Sequence, residues 1–291
     1  MLRIAVDTGG TFTDLVCMEG SRCVVRKVPS TPEDPSQAVL AGIREILADP
    51  AAGSMAGGAL TLPPKSTVVH GSTVYTNSLL ERMGAPVGFV TTAGFEDLLA
   101  IGRQARPHLY DVSVGPPAPL VAPEHCLGAR ERLDPDGSER RPLDRDALGE
   151  AVRRAVADGV ERIAICLLPS YAYPAHEQAA ARVVEAAGGH ATLSSLVLPE
   201  YREFERASTT VVNAALSPVM SAYLARLESG LGDARLSVFR SNGGVLSARA
   251  AGDEAVNTLL SGPAAGVVGA AAWSARSGVA RLITFDMGGT S

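Results

Sequence analysis

The order of apolar patterns along this 291-residue chain predicts an α/β fold in which helices flank a mixed sheet. Three short alternating segments come before any helical pattern. Helical and strand patterns then take turns. A strand ending in Asp-x-Gly-Gly-Thr occurs at both ends of the chain.

The first three strands are expected at Leu2 to Val6, Phe12 to Met18 and Cys23 to Val28, with Glu19-Gly20-Ser21-Arg22 as a tight turn in a β-meander. Ser30 and Thr31 offer caps, and Val39, Leu40, Ile43, Ile46 and Leu47 recur at helical spacing up to about Asp49-Pro50. Ala51 to Pro64, rich in Gly, Ala and Pro, reads as a surface loop. A strand at Ser66 to His70, a helix at Thr73 to Met83 and a strand at Pro86 to Thr91 complete the order β-β-β-α-β-α-β.

Further along, Leu133-Asp134-Pro135-Asp136-Gly137 is a turn between short strands. Ala147, Leu148, Ala151, Val152, Ala155 and Val156 share one helix face ahead of a strand at Arg162 to Leu168. A long helical pattern from Pro199 to Leu227 contains Pro218, which should kink or divide it. Next come a strand at Leu236 to Arg240, a turn at Ser241-Asn242-Gly243-Gly244, a helix at Gly262 to Ser274 with Pro263 in its first turn, and a last strand at Arg281 to Phe285. A domain boundary is expected between residues 185 and 200, giving domains 1–190 and 191–291.

Composition narrows the function. The chain is 46% hydrophobic and 20% charged, as globular proteins are, and its formal charge of −5 offers no footprint for a polyanion. Nucleic acid and lipid surfaces are therefore not the expected partners. The N-terminus lacks the charged and apolar regions of a signal peptide, so a cytoplasmic location is expected. Cys17, Cys23, Cys126 and Cys166 form no zinc-type spacing. The uncharged stretch Ala255 to Ala275 is broken by Gly, Pro and Asn, which suits a close-packed buried helix better than a membrane span.

The strongest motif is the echo between Ile4-Ala5-Val6-Asp7-Thr8-Gly9-Gly10-Thr11 and Ile283-Thr284-Phe285-Asp286-Met287-Gly288-Gly289-Thr290. Paired glycines let several backbone N–H groups converge on phosphate oxygens, and the Thr hydroxyl adds a donor. An aspartate closing the strand suits Mg²⁺, a hard cation that wants oxygen ligands and keeps part of its water. Other glycine pairs, Gly57-Gly58, Gly188-Gly189 and Gly243-Gly244, follow no strand-ending Asp and read as turns.

At these residues the sequence resembles the actin-like ATPase superfamily, with its ribonuclease H-like sheet, and within it the hydantoinase A and 5-oxoprolinase family. The resemblance runs through Asp7-Thr8-Gly9-Gly10-Thr11-Phe12-Thr13-Asp14, His70-Gly71-Ser72-Thr73-Val74-Tyr75-Thr76-Asn77 and Tyr201-Arg202-Glu203-Phe204-Glu205-Arg206. It continues through Ser241-Asn242-Gly243-Gly244 and Ser261-Gly262-Pro263-Ala264-Ala265-Gly266 to Asp286-Met287-Gly288-Gly289-Thr290-Ser291. It implies ATP and Mg²⁺ as cofactors, Asp7 and Asp286 as metal-organising catalytic residues, and Thr8, Gly9, Gly10, Thr11, Asp14, Gly288, Gly289 and Thr290 around phosphates. His70 belongs to a signature that could face substrate or nucleotide.

The implied activity is ATP-dependent hydrolysis of a cyclic amide, hydantoin or 5-oxoproline, through carbonyl phosphorylation, working with a hydantoinase B-like chain or domain. The alternatives are the ATPase subunit of an acetone or acetophenone carboxylase, and a non-catalytic nucleotide-binding fragment. Because the chain stops at Ser291, inside the second motif, the resemblance also implies an incomplete second lobe and little ATP turnover by this chain alone. Arg103 and Arg106 could offer planar donors to an anion. Glu203, Glu205 and Arg206 are spaced for ion pairs along one helix.

Overall fold

A computed structural model describes residues 1–48, 62–105, 110–111, 113 and 118–287. The loop expected at Ala51 to Pro64 lies mostly outside these residues, as do Gly57-Gly58, Arg106, Gly288, Gly289 and Thr290. The first elements are β1 (Leu2–Thr8), β2 (Phe12–Glu19), β3 (Arg22–Pro29), α1 (Pro35–Ala48), β4 (Thr67–Ser72), α2 (Val74–Leu80), β5 (Val87–Thr92) and α3 (Leu98–Ile101). The middle holds β6 (Cys126–Ala129), β7 (Arg132–Leu133), β8 (Glu139–Arg141), α4 (Arg145–Ala157), β9 (Arg162–Cys166), α5 (Ala175–Ala186), β10 (His190–Leu193) and α6 (Ser194–Val197). Last come α7 (Glu203–Leu231), β11 (Arg235–Phe239), β12 (Val245–Ser247), α8 (Ala248–Asp253) and α9 (Ser261–Ser277).

The chain forms two compact units that are not consecutive segments: Met1–Met83 with Ser217–Ser291, and Gly84–Leu216. The first is built on a six-stranded sheet in the order β12-β11-β4-β1-β2-β3. β1, β2 and β3 form the expected antiparallel meander, while β4 runs parallel to β1 and β11 parallel to β4. Gly20 turns the meander at φ +61°, a conformation that an L side chain seldom adopts.

Alternation along β1 decides what each face does. Leu2, Ile4, Val6 and Thr8 are buried on one face, against the apolar side of α1 formed by Val39, Ile43 and Ile46. Gly42 of α1 comes so close to the sheet that a Cβ there would meet the Leu15 side chain. The C-terminal half of α7, with Met220, Tyr223, Leu224 and Leu227, completes this core. Burying each such side chain contributes about 1.5–3 kcal/mol. Asp34, not Ser30, holds the first turn of α1: its Oδ1 accepts from the Ser36 N–H, and Thr31 Oγ1 accepts from the Ala38 N–H.

The second unit carries a parallel sheet in the order β10-β9-β5-β6 and a separate β7-β8 hairpin. Every residue of β5 is buried, as expected of a parallel strand covered on both faces. Val90, Ile163 and Ile165 pack with Leu148, Val152 and Val184 of α4 and α5, whereas Phe89 and Ala164 pack with Ala207, Val211 and Ala214 of α7.

Two polar clusters are buried in this unit. His176 lies between Glu131 (Nδ1 to Oε2, 2.6 Å) and Glu139 (Nε2 to Oε2, 2.9 Å), and the Thr92 hydroxyl donates to Glu131 at 2.5 Å. Arg206, wholly buried, donates to Ser170 Oγ (2.9 Å) and to the Leu167 carbonyl (3.1 Å), and Ser170 links it to buried Glu177. Arg206 is thus a core anchor and not the surface ion-pair partner that its helical spacing suggested. Glu205 pairs across space with Arg103 instead.

Three further expectations are corrected. α7 is not divided at Pro218: it is one helix from Glu203 to Leu231, with Leu216 and Met220 buried on either side of the proline, and the Ala215 carbonyl one turn before it also accepts from the Ala85 N–H. Arg281 to Phe285 is not a strand, for no described strand offers it a ladder, and Ile283 is 97% exposed. α9 is not buried: Val267, Val268 and Trp273 face solvent, and only Ser261 and Ser274 are enclosed. No helix among the described residues is long and apolar enough to cross a membrane.

Candidate active site

The pleat that buries Val6 and Thr8 turns Asp7, between them, to the opposite face of the sheet. There Asp7 pairs in register with Asp14 on β2 and with Gly71 on β4. It opens into a cavity of about 850 Å³ whose lining also includes Asp14, Gly71, Gly262, Pro263 and Asp286. The two aspartates of the internal echo, 279 positions apart in sequence, thus meet on one cavity.

Close backbone approach shapes this corner. A Cβ on Gly262 would lie 3.2 Å from Asp7 Oδ1, and one on Gly71 would lie 3.6 Å from the same atom. The start of α9 is clipped to the end of β4 by Ser261, whose hydroxyl accepts from the Ser72 N–H and donates to the Ser72 carbonyl, each at 3.3 Å. Pro263 sits in the first helical turn, where its missing N–H is not needed.

Although Asp7 is open on the cavity side, the atoms crowded around its carboxylate raise its pKa above the ordinary value. The charges of Asp14 and Asp286 add to this, and Lys27 opposes it. Asp14 is itself held by Lys27, its cross-strand partner on β3, at 2.7 Å. A concentration of carboxylates that disfavours its own ionisation suits a divalent cation. Asp7, Asp14 and Asp286 supply the hard oxygen donors that Mg²⁺ prefers. Among the described residues no set of three or more His, Cys, Asp or Glu side chains converges as metal ligands do.

The β1-β2 hairpin turns through Gly9 and Gly10. The Gly9 N–H donates to the Phe12 carbonyl (2.9 Å), and a Cβ on Gly9 would crowd that oxygen at 3.2 Å. Ser30, expected as a helix cap, braces this turn instead: its hydroxyl donates to the Gly9 carbonyl (2.7 Å), its N–H donates to the Thr11 carbonyl (2.9 Å), and Thr13 Oγ1 lies 3.0 Å from its oxygen. The N–H groups of Gly10 and Thr11 meet no acceptor among the described residues and remain available to an anion.

The other expected site residues are distributed as follows. Gly9 and Gly10 border a second, smaller cavity and not the one that Asp7 lines. Thr8 is fully buried, and its carbonyl accepts from Thr73. His70 lies in register with Val6, on the face of the sheet away from Asp7, and is wholly buried. Its Nε2 is 2.8 Å from the Tyr223 hydroxyl, and burial lowers its pKa to about 4, so the ring is neutral at physiological pH. The structure therefore does not bring His70 to the cavity.

Sequence reasoning missed Ser30, Lys27 and the role of Gly71. Counting back from the two-residue turn at Gly20-Ser21 pairs Asp14 with Lys27, so that contact was available to it. The Ser30 brace was not, because it depends on where β3 ends relative to the hairpin tip.

Comparison with known proteins now adds to the geometry. The family described as hydantoinase/oxoprolinase N-terminal region matches residues 3–188, and hydantoinase/oxoprolinase matches residues 206–291. The crystal structure of the ATP-dependent caprolactamase from Pseudomonas jessenii is 35% identical, covers 99% of this chain and 42% of its own, and superposes with a TM-score of 0.84. Nucleotide-free acetone carboxylase is 26% identical over 95% of this chain and 41% of its own, with a TM-score of 0.83. The 5-oxoprolinase 1 of Arabidopsis thaliana is 33% identical over 100% of this chain and 25% of its own length. This chain thus spans between a quarter and about two fifths of the relatives it matches. With a β3-β2-β1-β4-β11 sheet of the actin-like ATPase type and both family regions matched in order, the chain belongs to the hydantoinase/oxoprolinase family.

Proposed function

We propose that this chain provides phosphate-handling machinery for an ATP-dependent hydrolase of cyclic amides, acting through phosphorylation of the ring carbonyl. The observation that carries the reading is the meeting of Asp7 and Asp286 on one cavity beside Asp14. In this reading Asp7 and Asp286 hold Mg²⁺ and orient the water, while Lys27 keeps Asp14 in place. Gly9, Gly10 and Thr11 offer backbone N–H groups to phosphate oxygens. By the sequence echo, Gly288, Gly289 and Thr290 are assigned the same role. Bound Mg²⁺ would supply charge neutralisation on the phosphates. His70 is assigned no contact with substrate. Its hydrogen bond and ring contact with Tyr223 tie β4 to α7.

The domain division expected from the sequence, 1–190 and 191–291, belongs to this reading, as do a hydantoinase B-like partner and a cytoplasmic location. The likeness to acetone carboxylase supports a second reading, the ATPase subunit of a ketone carboxylase. Phosphate release from Mg-ATP separates the two, with this chain in its complete polypeptide and supplied with a B-type partner. Stimulation by 5-oxoproline, N-methylhydantoin or caprolactam that is lost in Asp7→Ala supports the hydrolase. Stimulation by acetone only with bicarbonate supports the carboxylase. Nucleotide binding without stimulation by any of them leaves a non-catalytic nucleotide-binding role.

A further inference from the structure

A second cavity, of about 260 Å³, lies against the outer edge of the Gly9-Gly10 turn, between it and α2. Resting on the cyclic-amide reading above, we infer that this cavity takes the ring of the substrate and selects neutral rings over those that carry a carboxylate.

Size and chemistry both support the assignment. The cavity is too small for a nucleotide and suits a single small ring. Three hydroxyls on its wall are already engaged: Ser30 with the Gly9 carbonyl, Thr31 with the Asp34 carbonyl, and Ser78 with the Val74 carbonyl. Two polar side chains remain, Asn77 and Glu81, neither with a hydrogen bond or ion pair to any described residue. Asn77 stands on α2 and Glu81, four residues on, is its C-cap, and both border the cavity.

A carboxamide and a carboxylate set side by side complement the edge of a cyclic amide. Glu81 accepts the ring N–H, and the Asn77 amide donates to the carbonyl oxygen. Pro32, Pro35 and Val74 supply apolar wall for ring carbons. Among the described residues the lining contains no lysine or arginine and its one charge is Glu81, so there a ring bearing its own carboxylate meets repulsion and no counter-ion.

The test compares the wild type with Glu81→Gln and Asn77→Ala in the complete polypeptide with its partner, reading kcat and KM for stimulated phosphate release. The probes are caprolactam and N-methylhydantoin as neutral rings and 5-oxoproline as the anionic one. Expected are a kcat/KM at least about tenfold higher for a neutral ring than for 5-oxoproline, and a KM for that ring raised roughly tenfold by either substitution, with kcat lowered less. Glu81→Gln should also narrow the gap to 5-oxoproline. A preference for 5-oxoproline, or an unchanged KM in both variants, overturns the inference while leaving the cyclic-amide reading intact. Should no cyclic amide stimulate turnover, that reading fails and calorimetric titration of the neutral rings decides the cavity by itself. Saturable binding weakened in Glu81→Gln upholds the cavity as a ring site; no binding overturns it.

Discussion

Asp7 and Asp14 stand directly opposite each other on antiparallel neighbours β1 and β2, two carboxylates in a cross-strand position where like charges repel. Such a pairing works against folding, and the cation proposed above would relieve it. Asp7→Asn should therefore leave the fold slightly more stable, by up to about 1 kcal/mol, because a like-charge pair is removed. It should at the same time lower stimulated ATP turnover by roughly 10²-fold or more. Thermal unfolding beside phosphate release measures both, and a variant that is both less stable and fully active would contradict the assignment.

At Gly262 the start of α9 lies close against the Asp7 carboxylate: a Cβ there would stand 3.2 Å from Asp7 Oδ1. Gly262→Val therefore crowds Asp7 Oδ1 and should cost about 1–3 kcal/mol. A larger loss of nucleotide affinity than of stability is expected, read by nucleotide titration against a melting curve. Gly269→Ala, two turns further along α9, outside the cavity lining and with open space at its Cβ, is the control: it should leave nucleotide affinity unchanged and, as a Gly→Ala change inside a helix, raise stability by about 0.5–1 kcal/mol.

The two buried histidines predict opposite responses to pH. His176 loses some basicity to burial, but hydrogen bonds and charges from Glu131 and Glu139 outweigh it and raise its pKa above 6.5. Protons therefore bind the folded form more tightly. The stabilisation is fully present below about pH 6.5 and is lost as pH rises through the higher folded pKa. The difference in melting temperature between the wild type and His176→Gln should be largest in mild acid and shrink above neutrality.

His70 behaves the other way. Its folded pKa, near 4, lies below the ordinary 6.5, so the unfolded chain takes up the proton first. Its contribution is intact above about pH 6.5 and disappears as pH falls towards 4. His70→Phe should flatten the acid limb of the stability profile, and the pH profile of turnover near neutrality should show no His70 titration.

Among the described residues Arg206 has no direct carboxylate partner and is held through Ser170 and the Leu167 carbonyl, with its Cζ 5.3 Å from the centre of the Tyr171 ring. Arg206→Met removes the positive charge from the buried Glu177 network and should destabilise the protein by about 3–5 kcal/mol. Chemical denaturation checks this. An effect under about 0.5 kcal/mol would mean that the arginine is neutral to the core.

Periodicity alone was enough to find the β1-β2-β3 meander, α1, β4, β5, α4 and β9, because each buries one face or both and writes that burial as a repeat of apolar residues. The Gly-Gly-Thr echo likewise made Asp7 and Asp286 candidates from residue identity alone. Tertiary structure decided what local pattern cannot encode. It inserted residues 84–216 between the two segments that make the first unit, and it carried α7 intact past Pro218. It turned Arg206 into the core, and it left Arg281 to Phe285 without a ladder. It also settled which face of the sheet each candidate occupies. His70 and Asp7 belong to neighbouring strands, yet the pleat puts one in an aromatic core and the other on an open cavity. That outcome depends on the pairing of β1 with β4, whose partners are more than sixty residues apart, and a register between distant strands leaves no trace in the residues of either one.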